Sequence, residues 1–552
     1  MRQTIKHILQ ALDMTCSGNL ILIVGSMLLL SAPSLYMSAD VRFEPPFLHF
    51  WASMAQSLIF AVAFAVLYRC SGHSRILLAA WLVFTSLLCF IDLWVNHVFY
   101  MRISPMMLGL VLQTNVSESD EFLRQYLLTP SAFFIALAIT AFDTAMLWAH
   151  RRWRTHCPKP STWRGLAWLA GSAASSAILI FFIVSGLGHK NRAYNTIGML
   201  CDAIVNAEYN RAGELMSLIS MTSQAEASRT PDSPHTIVLI IGESHSRLHT
   251  SLYGYDMPTT PTLDSLYRDG ELIRWDSVYT NYISTILVVR EMLSTADFDS
   301  GQRYCDAPML PGVMKTAGYE VAFFDNYSTH HDNTDQFASD NTYITSNDSI
   351  RALCFDHTND RIHPYDITLI KESLNADAAN GGTARFIIFH LNGQHVQASA
   401  RYDHATQTAF YPEMYDHRHN LSQRQKEEIA HYDNATRAVD NCIADIIGHF
   451  ADDDAIVIYC TDHGEEIHDY RDHYGRTFNV RNPQLDNCLR HIPMAIWASP
   501  TFRRLHPSTY SRLCEMSGRR WCNSDMGQLI MTIAALRSPH RIADQDSSLL
   551  TR

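Results

Sequence analysis

Residues 1–190 alternate long apolar runs with short basic loops, and the pattern then changes. Five runs approach or exceed the ~20 apolar residues a helix needs to cross a bilayer: 19–37, 47–68, 76–98, 132–149 and 165–187. Trp and Tyr stand near several of their ends, as an interfacial belt would. The first run is followed by Ser38-Ala39, small enough for signal-peptide cleavage, but the other four would hold the chain in a membrane either way. Asp92 and Asp143 fall inside spans, where an acid is a functional candidate by default; facing a neighbouring helix is the simpler reading. Loop 100–130 is long for a span connection and mildly amphipathic. It offers Gln113, Thr114, Asn115 and Glu118 as a lipid-holding segment on the outer face, against a plain connector.

From 193 to 221 the period becomes helical, with Ile197, Leu200 and Ile204, then Leu215, Leu218 and Ile219. This predicts an amphipathic bridge on the membrane surface. The polar stretch 222–234 (TSQAEASRTPDSP) reads as a linker. Three parts follow: a five-span membrane domain over 1–190, a bridging helix and linker over 191–234, and an outer domain over 235–552. In the outer domain strand-like and helix-like runs alternate, the pattern of a mainly parallel α/β sheet covered by helices. Further strand candidates are 320–324 and 492–497.

Composition sharpens this division. A chain of 552 residues is too long for one core. Hydrophobic residues make up 47% and charged residues 18%, yet mean hydropathy is only −0.07, so the apolar excess is concentrated in the spans. The net charge of −12 argues against nucleic acid, which needs a basic face. Orientation follows from Lys and Arg in short loops. Arg2, Lys6, Arg69, Arg75, Arg151, Arg152, Arg154, Lys159 and Arg164 lie on one side, and only Arg42, Arg102 and Arg124 on the other. The N-terminus is then cytoplasmic and everything after about Leu187 lies outside, in the periplasm of a cell with two membranes.

Candidate chemistry sits at strand ends. Run 236–241 (TIVLII) leads into Gly242-Glu243-Ser244-His245, and run 455–460 (AIVIYC) into Thr461-Asp462-His463-Gly464-Glu465. A third run, 384–389 (ARFIIF), delivers His390 and then His395. Ligands collect at the carboxyl ends of parallel strands. A lone Asp-His pair after a strand is ordinarily a cap or surface pair, but three such ends argue for a metal centre acting on phosphate or a similar ester. Zinc takes about four ligands and leaves a position open in catalytic sites. Glu243, Asp462 and His463 supply three. The fourth is expected to be a hydroxyl nucleophile, because a cation stabilises the alkoxide. The candidates are Ser277, Thr280, Ser284, Thr285 and Ser294. Among the outer cysteines, Cys514 and Cys522 form the best candidate disulfide in an exported domain, and Cys460 reads as a core thiol.

These motifs resemble the phosphoethanolamine transferases of the sulfatase and alkaline phosphatase superfamily. The resemblance rests on Ile241-Gly242-Glu243-Ser244, Ser251-Leu252-Tyr253-Gly254-Tyr255 and Thr259-Thr260-Pro261. It extends to His390-Leu391-Asn392-Gly393-Gln394-His395, Arg401-Tyr402, Tyr432-Asp433-Asn434, Asp462-His463-Gly464-Glu465, the five spans and Gln113-Thr114-Asn115. It implies Thr285 as nucleophile and metal ligand, in the frame Thr285 to Met292-Leu293-Ser294, with Glu243, Asp462 and His463 as the other ligands. It implies one zinc ion and leaves a second open. His395 and His473, with His390, match a cluster that meets substrate phosphate or a second metal. The implied reaction moves phosphoethanolamine from phosphatidylethanolamine to lipid A or lipopolysaccharide core through a phospho-threonine, at the inner membrane with the catalytic domain in the periplasm. The sequence departs from the family at Arg290-Glu291, where many members carry a Cys after Pro, and at Asp325-Asn326, followed here by His330 and His331 where some members place a Lys. Glu465 to His473 resembles the core-sugar branch somewhat more than the lipid A branch. Phosphoglycerol transfer, ester hydrolysis on the same scaffold and a non-catalytic membrane sensor are the alternatives. The C/S-x-P-x-R motif of formylglycine sulfatases is absent from the sequence.

Overall fold

The computed structural model describes residues 2–35, 46–99, 102–103, 107, 126–156, 158–185, 195–327, 347–377, 383–476 and 482–542. Thr114, Asn115, Glu118, His330 and His331 lie outside them. The chain divides into two compact units. The first holds the described residues up to Asn210 and the second those from Arg211 on.

The first unit is helical. Among the described residues, four helices are long and apolar enough to cross a membrane: Leu48–Cys70, Arg75–Phe99, Pro130–His156 and Thr162–Ser185. A fifth candidate is bent by 66° between Arg2–Gly18 and Leu20–Leu35. The expected first span is therefore not a free-standing straight helix, because a helix precedes it and meets it at an angle. Buried polar groups lie near the break. Asp13 is buried and pairs with Arg164 at 3.0 Å, and Asn19 Nδ2 donates to the Thr15 carbonyl at the joint. Asp92 is also fully buried, 2.5 Å from the equally buried Arg102. It further accepts from Thr196 Oγ1 at 3.0 Å. Asp143 accepts from Ser86 at 2.6 Å. Both intramembrane acids thus have structural partners, as an ionisable group in an apolar setting requires.

The helix Thr196–Ser223 crosses from one unit's residues to the other's. In the second unit it is tied down by Leu218, which is buried in the domain core, and by Ser217 Oγ, which donates to the Cys305 carbonyl.

The second unit is built on an eight-stranded sheet. Its strands are β1 Thr236–Gly242, β2 Leu272–Tyr279, β3 Glu320–Asp325, β4 His357–Thr358, β5 Arg385–His390, β6 Ala455–Thr461, β9 His491–Ala498 and β10 Arg520–Cys522. A separate hairpin pairs β7 Glu466–Ile467 with β8 Tyr474–Gly475. The order in the large sheet is β10-β2-β9-β6-β1-β5-β3-β4. Only β9 runs against the rest, since its pairs with β2 and β6 are the antiparallel ones. The carboxyl ends of β1, β2, β3, β5 and β6 therefore share one edge. Ile241 is level with both Cys460 and His390, and Asp325 with His390.

β1 is buried along its whole length, as a central parallel strand must be. Its side chains alternate between two cores. Ile237, Leu239 and Ile241 join one with Val313 and Met314; Val238 and Ile240 join the other with Ile443 and Ile446 of helix Gln423–His449. Each such aliphatic contributes about 1.5–3 kcal/mol by leaving water. Cys460 lies in the first core. The expected Cys514–Cys522 bond is not formed: Cys514 is exposed on helix Pro507–Met516, whereas Cys522 on β10 turns its thiol toward Asn281 at 3.5 Å.

Candidate active site

The sheet edge brings together groups more than two hundred residues apart. Glu243 follows β1, Asp462 and His463 follow β6, and their ligand-type atoms lie within 4.8 Å of one another, all buried. Thr285 is the first residue of helix Thr285–Met292, which begins shortly after β2. Its Oγ1 donates to Glu243 Oε2 at 2.8 Å and lies 3.5 Å from His463 Nε2. The other candidate hydroxyls are engaged or placed elsewhere. Thr280 donates to the Tyr282 carbonyl and Ser294 to the Tyr304 carbonyl, Ser277 lies within β2, and Ser284 holds the N-cap position of the helix that Thr285 begins, without a side-chain capping hydrogen bond.

Local hydrogen bonds fix each group. His463 Nδ1 lies 2.9 Å from the Gly464 carbonyl, which can only accept, so Nδ1 carries the proton and Nε2 turns its lone pair to the cluster. Burial, reinforced by Arg476, pushes the His463 pKa down to about 4, so the ring is neutral. Asp462 Oδ1 accepts from the backbone N–H of Ser244 and of His463. Its Oδ2 is buried without a hydrogen-bond donor, 3.1 Å from His463 Nε2. Burial and the Asp462 charge raise the Glu243 pKa. Two buried carboxylates, a neutral imidazole and a hydroxyl thus converge, one carboxylate oxygen still lacking a partner. This donor set suits a divalent zinc ion, for which buried carboxylates and imidazole are ordinary ligands.

Ser244 joins the two strand ends. It adopts the left-handed region (φ 56°), where its N–H reaches Asp462, its hydroxyl donates to Glu243 Oε1 at 2.7 Å and its carbonyl accepts from Tyr432 at 2.5 Å. Gly393, between His390 and His395, packs on Glu243. A Cβ there would stand 2.8 Å from the Glu243 carbonyl oxygen, at φ +49°, so only glycine fits without strain.

The histidines are placed separately. His390 ends β5, and its Nδ1 is 3.0 Å from Asp325 on β3. Burial lowers its pKa, but Asp325 outweighs burial and the net shift is upward. His395 is buried, its ring edge-on to Tyr327 at 5.5 Å, and burial together with Arg476 and Arg401 holds its pKa well below the ordinary value. His473 precedes β8 in the hairpin, its carbonyl accepting from His468 N–H.

Three groups at the site were not singled out as site residues from sequence. Arg476 places Nη1 3.0 Å from His463 Nε2, Glu465 is fully buried, and Asn523 donates to the Asp462 carbonyl at 3.0 Å. Glu465 stands in the run after β6 that the sequence already marked; Arg476 and Asn523 carried no sequence signal.

A family model for sulfatases matches residues 235–521. The chain belongs to the sulfatase family. Phosphoethanolamine transferase EptC of Escherichia coli K12 is 28% identical over 438 residues, which are 74% of this chain and 72% of that protein. The Kdo(2)-lipid A phosphoethanolamine 7''-transferase of Salmonella typhimurium is 25% identical over 432 residues, 76% of this chain and 67% of that protein. Among solved structures, the integral membrane protein lipooligosaccharide phosphoethanolamine transferase A (EptA) from Neisseria meningitidis superposes with a TM-score of 0.60. It covers 94% of this chain and 97% of its own at 16% identity, a likeness of fold across both helical and sulfatase-like parts.

Proposed function

We propose that this sulfatase-family protein is a metal-dependent transferase that moves phosphoethanolamine from phosphatidylethanolamine to lipid A or lipopolysaccharide core. The observation that carries the reading is Thr285 Oγ1, a hydroxyl 2.8 Å from Glu243 at the edge where Asp462 and His463 also converge. The relatives' names supply the transferred group. We assign residues 1–190 to the inner membrane, 191–234 to a bridge, and 235–552 to a periplasmic catalytic domain.

Glu243, Asp462, His463 and Thr285 would hold one zinc ion, with a second left open at His395, His473 and His390. A zinc ion held there would supply positive charge that eases loss of the Thr285 hydroxyl proton and offsets charge on phosphoryl oxygens. Thr285 Oγ1 forms a bond to the donor phosphorus, its proton passing toward Glu243 Oε2. The bond from phosphorus to the diacylglycerol oxygen breaks, and diacylglycerol leaves with a proton. The acceptor hydroxyl then gives up its proton and bonds to phosphorus as the Thr285 Oγ1–P bond breaks. A covalent carrier lets the two lipids react one after the other.

The full-length protein, in vesicles containing phosphatidylethanolamine, is given lipopolysaccharide, and the acceptor is weighed by mass spectrometry. Gain of phosphoethanolamine with wild type and none with Thr285→Ala supports the reading, and the modified fragment names the acceptor. Equal gain with both proteins removes Thr285 from the chemistry.

A further inference from the structure

Arg476 stands at the point where the strand-end groups meet. Its Nη1 is 3.0 Å from His463 Nε2. The same imidazole nitrogen is 3.5 Å from Thr285 Oγ1 and 3.1 Å from Asp462 Oδ2, so the guanidinium reaches the cluster through His463. Its Nε lies 3.9 Å from Glu465 Oε2, and its side chain is 18% exposed while that of Glu465 is fully buried. The residue follows β8 directly, so the hairpin Glu466–Gly475 sets its position.

A guanidinium has five N–H donors and no acceptor, so it cannot ligate a cation. Beside a cluster able to hold a metal, what it can offer a substrate is a grip on an anion. The planar fork matches two oxygens of one phosphoryl group, and partial burial strengthens that pairing relative to water. Glu465 lies on the Nε side and Nη1 points to the cluster. The Glu465 carboxyl lies 3.9 Å from Nε without a hydrogen bond to it, and Nη1 on the other edge donates to His463 Nε2, which is itself 3.5 Å from Thr285 Oγ1.

We propose that Arg476 is the phosphoryl-binding cation of this site, gripping two non-bridging oxygens of the group that Thr285 accepts and gives up. The inference rests on the reading of Thr285 as nucleophile. In each half-reaction one P–O bond forms and one breaks, and the charge carried by the non-bridging oxygens stays within reach of the same fork. Lysine would supply charge but not the two parallel donors.

The test uses the full-length protein in detergent, loaded with zinc, with O-phosphoethanolamine as probe. Zinc content, thermal midpoint, probe affinity and transfer from phosphatidylethanolamine vesicles are measured for wild type, Arg476→Met and Arg476→Lys. We expect both variants to keep wild-type zinc and midpoint. In Arg476→Met, probe binding should weaken at least about tenfold and kcat should fall about 10²-fold, as when one transition-state donor is removed. Arg476→Lys should recover only part of each. Unchanged probe affinity in Arg476→Met, or loss of zinc along with it, would overturn the proposal. A wild type that binds no zinc but binds the probe through Arg476 would sink the metal reading and leave this inference standing.

Discussion

Asp462 shows how a carboxylate can be prepared for a cation by its neighbours. One oxygen is occupied by the backbone donors of Ser244 and His463, so the other is left facing His463 Nε2 without a donor. An unpartnered buried carboxylate oxygen is expensive, and a bound divalent ion would satisfy it. Asp462→Asn keeps the shape and the backbone acceptor but removes the charge. We expect its zinc content, measured by mass spectrometry of the purified protein, to drop severalfold or more, and transfer to drop with it. Full zinc content and activity would exclude Asp462 from the centre. Glu243 and Asp462 were legible in sequence because an acid directly after a buried β-branched run has a predictable place. Arg476 was not, because its position depends on a two-residue strand pair that leaves almost no periodic signal.

At the scale of elements, the hairpin that carries His473 and Arg476 is tied to the domain through His249. This residue, in the turn Arg247–His249, places Nδ1 2.8 Å from Asp433 in helix Gln423–His449 and Nε2 3.3 Å from Asp469 in the hairpin. Tyr255 and Tyr415 donate to the other oxygen of Asp433. Burial alone would lower the His249 pKa, but Asp469 and Asp433 outweigh it and raise it to about 9. The folded pKa is thus above the ordinary value of about 6.5. The resulting stability is complete below about pH 6.5 and is lost as pH rises through about 9. We expect His249→Gln to lower the unfolding midpoint at pH 6.5, with the gap from wild type closing toward pH 10. Midpoint curves that stay parallel across this range would show that His249 is not the titrating link. None of this was legible beforehand, because the three elements meet only through tertiary packing. The strands were legible: β3 and β9 stand within one or two residues of their predicted bounds. That β9 runs antiparallel was not, since strand direction leaves no mark on a fully buried apolar run.

For the whole molecule, helix length and apolarity were readable from the run pattern, because a bilayer demands both. The bend before Leu20 was missed, since the helix Arg2–Gly18 before it is too mixed in character to register as part of an apolar run. The basic loops set the expected sidedness, and reporter fusions check it directly. Fusions after Pro158 and after Ser233 should report opposite compartments, the second outside; a shared compartment would mean one span fewer or more. The central claim is the covalent use of Thr285. Full-length protein is given phosphatidylethanolamine without acceptor, then digested with trypsin, and the fragment Trp275–Arg290 is sequenced by mass spectrometry. We expect one phosphoethanolamine group on Thr285, discharged when lipopolysaccharide is added. The group on Ser284 or Thr280, or continued transfer with no adduct on any residue, would contradict it.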